Sequence, residues 1–441
     1  MKARYIAAIL LSGCLAACTA QSPVKDPIMV SSPQPVTEIT KVNLTNEEAA
    51  YVESGNELTF RLMPLMPGLQ EGEHSFIFSP LSIQYALGMT ANGASGETLD
   101  QIVEALGMGS DMDKLNALCH KLLNELPAVD LGVKLQLADA ILVNDRYPLL
   151  PAFSQKVKST YYAAVENMSF DDPAAVAARV NDWASRNTNG LIDKMLESGD
   201  ISPASMAFLM NALYFKAPWV QAGANPRFQE ELTRKQAFYP GGCTVLEVPT
   251  MRTSGGFNYA DMGSFRVLEL PYANGHFAMY ILLPKGEIVG DRPEVVQDIY
   301  TFSSLLKDFP SLDWKEILSA MEYCEVNLNL PKFETSSSYS LNDALVELGI
   351  DRAFSGAAEF DRMFENSNVR ACIDKVIQKA RIQVAEWGTE AAAVTVVGMK
   401  ETSAGPGADH PVEFICDHPF AYLIAEKTSG AILFAGAFWG I

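Results

Sequence analysis

The sequence predicts an α+β fold built on large antiparallel or mixed sheets. Helical periodicity dominates the first half of the chain and strand-like runs the second, a segregation that argues against a doubly wound α/β fold. Of 441 residues, 48% are hydrophobic and only 20% charged, enough apolar surface for a large core and too little charge for a disordered chain. No repeat with a period of about 20–50 residues is visible, which excludes solenoids and propellers.

The elements follow in order. Thr45-Asn46-Glu47-Glu48 opens the body of the chain. A hydroxyl and a carboxylate three residues apart can each cap the other's backbone amide at a helix start. Ser79-Pro80-Leu81-Ser82 begins a second helix running to about residue 91. Pro80 suits the first turn, where its missing N–H is not needed, and Gly93 follows the expected end. Helical patterns recur at 96–106, 113–126, 151–162 and 174–187. Strand-like runs cover 135–142, 207–215, 265–270, 276–283, 326–330, 382–385, 422–425 and 431–436. Residues 391–397 are strand-like in composition, yet they run into Gly398 and the open sequence Ser403-Ala404-Gly405-Pro406-Gly407-Ala408.

The N-terminus reads as an export signal. Lys2 and Arg4 precede an apolar stretch over residues 6–11, far too short to span a bilayer. Leu15-Ala16-Ala17-Cys18 then resembles a bacterial lipobox. Residues 1–17 are therefore expected to be a lipoprotein signal peptide, with Cys18 lipidated as the mature N-terminus; an ordinary secretory signal with an incidental cysteine is the alternative. Residues 18–43, rich in Ser, Pro, Thr and Gln, read as a flexible tether to a domain over 44–441. The expected location is secreted, lipid-anchored to the bacterial cell envelope at the outer membrane or cell surface, with no other membrane contact.

Composition also excludes function classes. The 53 acids against 33 bases give a net charge of −20, a field that repels phosphate and sulfate, so neither nucleic acid nor heparin is an expected partner. The five histidines form no H-E-x-x-H pair, and no metal or cofactor is expected. Past Cys14 and Cys18, the cysteines Cys119, Cys243, Cys324, Cys372 and Cys416 are odd in number and widely spaced, arguing for free thiols over a disulfide framework. Ser304-Leu305-Leu306-Lys307 and Lys427-Thr428-Ser429-Gly430 together echo a serine acylase of the S-x-x-K type. The second copy carries an extra serine and no S-D-N lies between them, so they read as a helix turn and a hairpin turn. No nucleophile elbow, P-loop or dinucleotide fingerprint occurs, and the chain is not expected to be an enzyme.

Eight segments in order resemble one family, the serpins. They are Phe76-Ile77-Phe78-Ser79-Pro80-Leu81-Ser82-Ile83 with Gly93; Gly96-Glu97-Thr98; Asn181-Asp182-Trp183 with Thr188 and Gly190; Asn211-Ala212-Leu213-Tyr214-Phe215-Lys216-Ala217-Pro218-Trp219; Leu270-Pro271-Tyr272; Leu330-Pro331-Lys332-Phe333; Glu386-Trp387-Gly388-Thr389-Glu390-Ala391-Ala392-Ala393; and His418-Pro419-Phe420. The resemblance implies three β-sheets, eight or nine helices and an exposed reactive loop at about residues 386–413. It implies a monomeric suicide inhibitor of serine, sometimes cysteine, proteases. The protease would cleave the loop and become acylated, and the loop would insert into the main sheet and trap it. A non-inhibitory binding serpin is the alternative.

The hinge supports inhibition on its own residues. An inserting strand sends every second side chain inward. With Thr389 inward, Ala391, Ala393 and Thr395 follow, all small and uncharged, while Glu390 falls on the opposite face and Gly388 supplies freedom to bend. By resemblance, Ser79, Ser82, Asn211, Gln378 and Trp219 belong to a network beneath the central strands, where a buried hydroxyl or amide must be paired. The family usually places a histidine at residue 378, whereas Gln378 does not titrate. Ser75 replaces a common Asn, the stretch after Trp219 is long, and the terminal Asn-Pro is missing.

Two registers for the scissile bond disagree. A sheet-spanning strand of about 15 residues, roughly 50 Å, counted from Gly388 ends at Thr402 and places the bond at Thr402–Ser403. Thr402 would suit an elastase-like target. Lys400–Glu401 is the alternative and would suit a trypsin-like pocket. Counting back from His418-Pro419-Phe420 lands near Asp409 instead.

Overall fold

The computed structural model of the chain describes residues 38–69, 74–107, 111–221, 227–241, 244–286, 300–365, 372–389 and 411–440. Among them are nine α-helices: α1 (Asn46–Leu62), α2 (Pro80–Gly93), α3 (Gly96–Ala105), α4 (Met112–Glu125), α5 (Pro151–Tyr161), α6 (Pro173–Asn187), α7 (Phe302–Asp308), α8 (Trp314–Ser319) and α9 (Asn342–Glu347). The strands are β1 (Phe76–Phe78), β2 (Lys134–Asn144), β3 (Ala164–Met168), β4 (Ala207–Pro218), β5 (Arg234–Gly241), β6 (Thr244–Asp261), β7 (Phe265–Tyr272), β8 (Phe277–Pro284), β9 (Glu322–Pro331), β10 (Phe333–Ser340), β11 (Lys375–Ala385), β12 (Gly388–Thr389), β13 (Val412–Ile415), β14 (Phe420–Glu426) and β15 (Ile432–Phe438).

The expected caps are present. Thr45 Oγ1 accepts from the Glu48 amide at 3.2 Å, and the Thr45 amide donates to Glu48 Oε2 at 2.7 Å. Ser79 caps α2, in which every residue except Asn92 is buried, so this helix runs through the core. Ser304 and Lys307 lie within α7, and the turn after β14 is held by the Glu426 carboxylate, which accepts from the amides and hydroxyls of Thr428 and Ser429.

One sheet has six strands in the order β10-β11-β12-β4-β2-β3. The other hydrogen-bonded network runs β1-β15-β14-β8-β7-β6-β9-β13, with β5 on β6. The third, smaller sheet of the expected fold is β5, β6, β9 and β13; the long strand β6 carries it into the second, pairing β9 up to Tyr259 and β7 from there to Asp261. The main core lies between the sheets and around α2. A second apolar cluster, including Val176, Val180, Trp183, Phe208, Met210 and Ile377, packs α6 against the outer face of the six-stranded sheet.

Sequence patterning underestimated the sheets. The run at 382–385 is the end of an eleven-residue strand, β11. β10 alternates buried and exposed positions in strict register, but its buried face holds Thr335 and Ser337 beside Phe333 and Tyr339, so hydrophobicity alone did not mark it. Cys119, Cys324, Cys372 and Cys416 are free thiols.

Candidate functional site

The six-stranded sheet has a seam between β4 and β11. Both strands run in the same direction, and they are paired in parallel from Lys375↔Phe208 to Lys379↔Ala212. Five residues further along each strand, Val384 and Ala217 no longer meet. Thr389 lies between them, antiparallel to both, and Gly388 is likewise paired with Ala385 and Pro218. The two-residue strand β12 is thus a wedge driven into the mouth of the seam.

Each residue around the wedge has a physical reason to be there. Gly388 has φ +152°, and a Cβ on it would meet the Ala217 carbonyl oxygen at 2.2 Å. Only glycine lets the backbone approach this closely. Thr389 is buried, and its Oγ1 shares a hydrogen bond of 2.6 Å with the Tyr272 hydroxyl. Trp219 stacks on Tyr272 with ring centroids 4.4 Å apart, and its Nε1 donates to the Ala385 carbonyl at 2.8 Å. Glu386 is also buried; its carboxylate accepts from Thr233 Oγ1 and Lys332 Nζ, each at 2.9 Å. Burial disfavours its ionised form, yet the Lys332 and Thr233 hydrogen bonds and a backbone amide outweigh that and hold its pKa below the usual carboxylate value.

The network grouped from the sequence divides in two. Ser79, Gln378 and Asn211 meet at the paired end of the seam, whereas Trp219 stands at the other end of β4, with the wedge. Gln378 Oε1 accepts from the Ser79 amide at 2.9 Å, and its Nε2 donates to the Ser79 carbonyl at 2.8 Å, so the amide side chain binds α2's cap twice. Ser79 Oγ donates to the Leu433 carbonyl at 2.7 Å and accepts from the Ser82 amide at 3.2 Å. Asn211 faces Gln378 across the seam, but its Nδ2 donates the other way, to Asp139 Oδ1 on β2, at 2.6 Å. Asp139 was missed by the sequence reading, although an acid inside the apolar run 135–142 was a signal of a buried polar contact. Burial pushes its carboxyl up to about 7, with the Asn211 amide acting against the shift. Glu390, Ala391, Ala392, Ala393, Lys400, Glu401, Thr402, Ser403 and Cys18 lie outside the described residues.

Comparison with known proteins gives a consistent result. The family model described as "Serpin (serine protease inhibitor)" matches residues 53–440. Serpin-Z2A of Triticum aestivum is 33% identical over 369 residues, covering 81% of this chain and 88% of the relative. Serpin B4 of Homo sapiens is 30% identical, covering 83% and 93%. Among solved structures, Arabidopsis AtSerpin1 in its native stressed conformation superposes with a TM-score of 0.76 at 28% identity, over 90% of this chain and 98% of that one. With the family model spanning nearly all of the described fold, and a wedged seam at its centre, this chain belongs to the serpin family.

Proposed function

We propose that this protein is a trapping inhibitor of serine proteases, with cysteine proteases as a second target class. A protease would cleave the segment that follows β12, and that segment would then fill the seam while the acylated protease is carried with it. The observation that carries this reading is the wedge: β12 already occupies the first two positions of the strand that insertion would complete.

The register of β12 can be continued residue by residue against both flanking strands. Inward-facing Ala391 would arrive between Phe215 and Ile382, Ala393 between Leu213 and Ala380, and Thr395 between Asn211 and Gln378. All three are small enough to enter a close-packed interior, and Thr395 brings a hydroxyl to the polar pair. On the opposite face, Val394 and Val396 would pass beneath α6; Val396 would lie between Met210 and Ile377, both in the apolar cluster there. Polar Glu390 falls before that cover begins. The sequence therefore suits both faces of the slot along its length.

The same register supports one scissile bond over the other. β4 begins at Ala207 and β11 at Lys375, so pairing would run out at Met399 and Gly398 respectively. An acyl bond at Lys400 would hold the protease against the last rung. Thr402 leaves two residues of slack, which favours cleavage at Thr402–Ser403 and an elastase-like target. The lipobox at Cys18 supports action from a lipid anchor on a bacterial envelope, and cell fractionation of Cys18→Ser, expected to become soluble, tests that assignment.

The experiment for the inhibitory reading is mixing with elastase-like and trypsin-like proteases, followed by denaturing electrophoresis. An SDS-resistant complex is expected, releasing a C-terminal fragment whose mass begins at Ser403. Cleavage without any complex overturns the trapping reading in favour of a binding serpin, and a fragment beginning at Asp409 or beyond overturns both bonds.

A further inference from the structure

Two buried acceptors beside the seam have no hydrogen-bond partner: Asp139 Oδ2 and Asn211 Oδ1. They belong to side chains already joined by one bond, from Asn211 Nδ2 to Asp139 Oδ1. Two acceptors cannot satisfy each other, and an orphaned polar atom in a dry interior is costly. One proton on Asp139 Oδ2 removes both defects, because the acid then donates to Asn211 Oδ1 while still accepting from its Nδ2.

We propose that Asp139 is a proton-operated catch: protonated, it pairs doubly with Asn211 and ties β4 to β2 at the paired end of the seam; ionised, it loses the second bond and weakens that tie, one strand away from the ladder that insertion would break.

The surroundings fit an acid that gains and loses its proton near neutrality. Asp139 is 2% exposed and Asn211 3%. The titratable groups that feel its charge are Tyr85 on α2, Cys119 on α4 and Tyr161 on α5. Burial pushes the Cys119 thiol up to about 12 and both phenols well above their usual value, so all three stay neutral across the working range. Across the seam stands Gln378, which is uncharged. Among the described residues no cation contributes to holding the Asp139 charge; the one group that favours ionisation is the Asn211 amide. The position that opens is not remote from this pair, since Asn211 is itself paired with Gln378 in the ladder that insertion must break.

The sign follows from the folded value of about 7 against an unfolded value of about 3.9. The stabilising contribution of neutral Asp139 is full below the unfolded value and is lost as pH rises through 7. Asp139→Asn replaces the acid by an amide that can make the same two hydrogen bonds at every pH. The test is thermal unfolding of the intact, uncleaved protein at pH 5 and pH 8, with no protease present, so its outcome is independent of the trapping reading. The midpoint of Asp139→Asn relative to wild type should rise by several degrees between pH 5 and pH 8, because the wild-type contribution falls progressively between the unfolded and folded values. A difference between the two that does not change with pH overturns the proposal. Should the variant fail to fold, carbon-13 aspartate spectra of the wild-type protein decide: one buried carboxyl titrating near pH 7 supports the catch, and full ionisation of every carboxyl at pH 5.5 overturns it.

Discussion

At residue 388 a single added carbon would collide with the backbone of β4, 2.2 Å from the Ala217 oxygen and 2.7 Å from Pro218 Cα. Gly388 is therefore the point where the chain turns into the seam, and the sequence reading had credited it only with freedom to bend. Its neighbour Thr389 is held by the Tyr272 hydroxyl in a pocket that also contains Trp219. Thr389→Arg should convert the protein from inhibitor to substrate. An unpaired guanidinium at this buried position costs several kcal/mol, so insertion would slow and the acyl-enzyme would hydrolyse first. Titration of protease activity against added protein measures this as a rising stoichiometry of inhibition; an unchanged stoichiometry would refute the inward placement. The inward setting of Thr389 was legible because that register leaves only small, uncharged residues inward and sets Glu390 on the opposite face. Asp139 was not, because nothing in the local pattern 135–142 says which strand it will face.

At the scale of elements, boundaries were legible wherever local chemistry decides them. Thr45 and Glu48 cap α1, and Ser79 with Pro80 starts α2, because capping is settled within one helical turn. Strands whose buried face is apolar, such as β8 and β14, were legible for the same reason. β5, β6 and β10 were not, since β-pairing is decided by partners distant in sequence; β6 and β10 also bury hydroxyls, at Thr250, Thr335 and Ser337, and β5 buries only Phe238. β10 meets β11 over eight register positions, a relation no local window contains. The outward face of the incoming strand gives a prediction of its own. Val396→Asp should impair complex formation even though residue 396, in the extrapolated register, would point away from the main core, because α6 covers that stretch of the sheet. Glu390→Ala, which would fall on the same face but short of the cover, should leave complex formation unchanged. Equal behaviour of the two variants in the gel assay would contradict the extrapolated register.

For the whole molecule, a sheet whose described residues leave 213–216 of β4 and 380–383 of β11 without a strand between them would, on the trapping reading, have a lower free-energy state within reach, in which that strand is present. The intact protein would then be held by a kinetic barrier. Cleavage in the loop should raise the melting temperature sharply, and coincident calorimetric traces for intact and cleaved protein would rule that out. The same unfinished seam can be followed by deuterium uptake. Among the described residues, the stretches 213–216 of β4 and 380–383 of β11 have no ladder partner on their seam side, although β2 and β10 pair their other edges. Alternate amides in those stretches should exchange quickly in intact protein and slowly once the loop is inserted, while the amides bonded to β2 and β10 barely change. A peptide-resolved uptake map would then date the event in each molecule: a chain whose alternate seam amides have fallen silent has already met its protease.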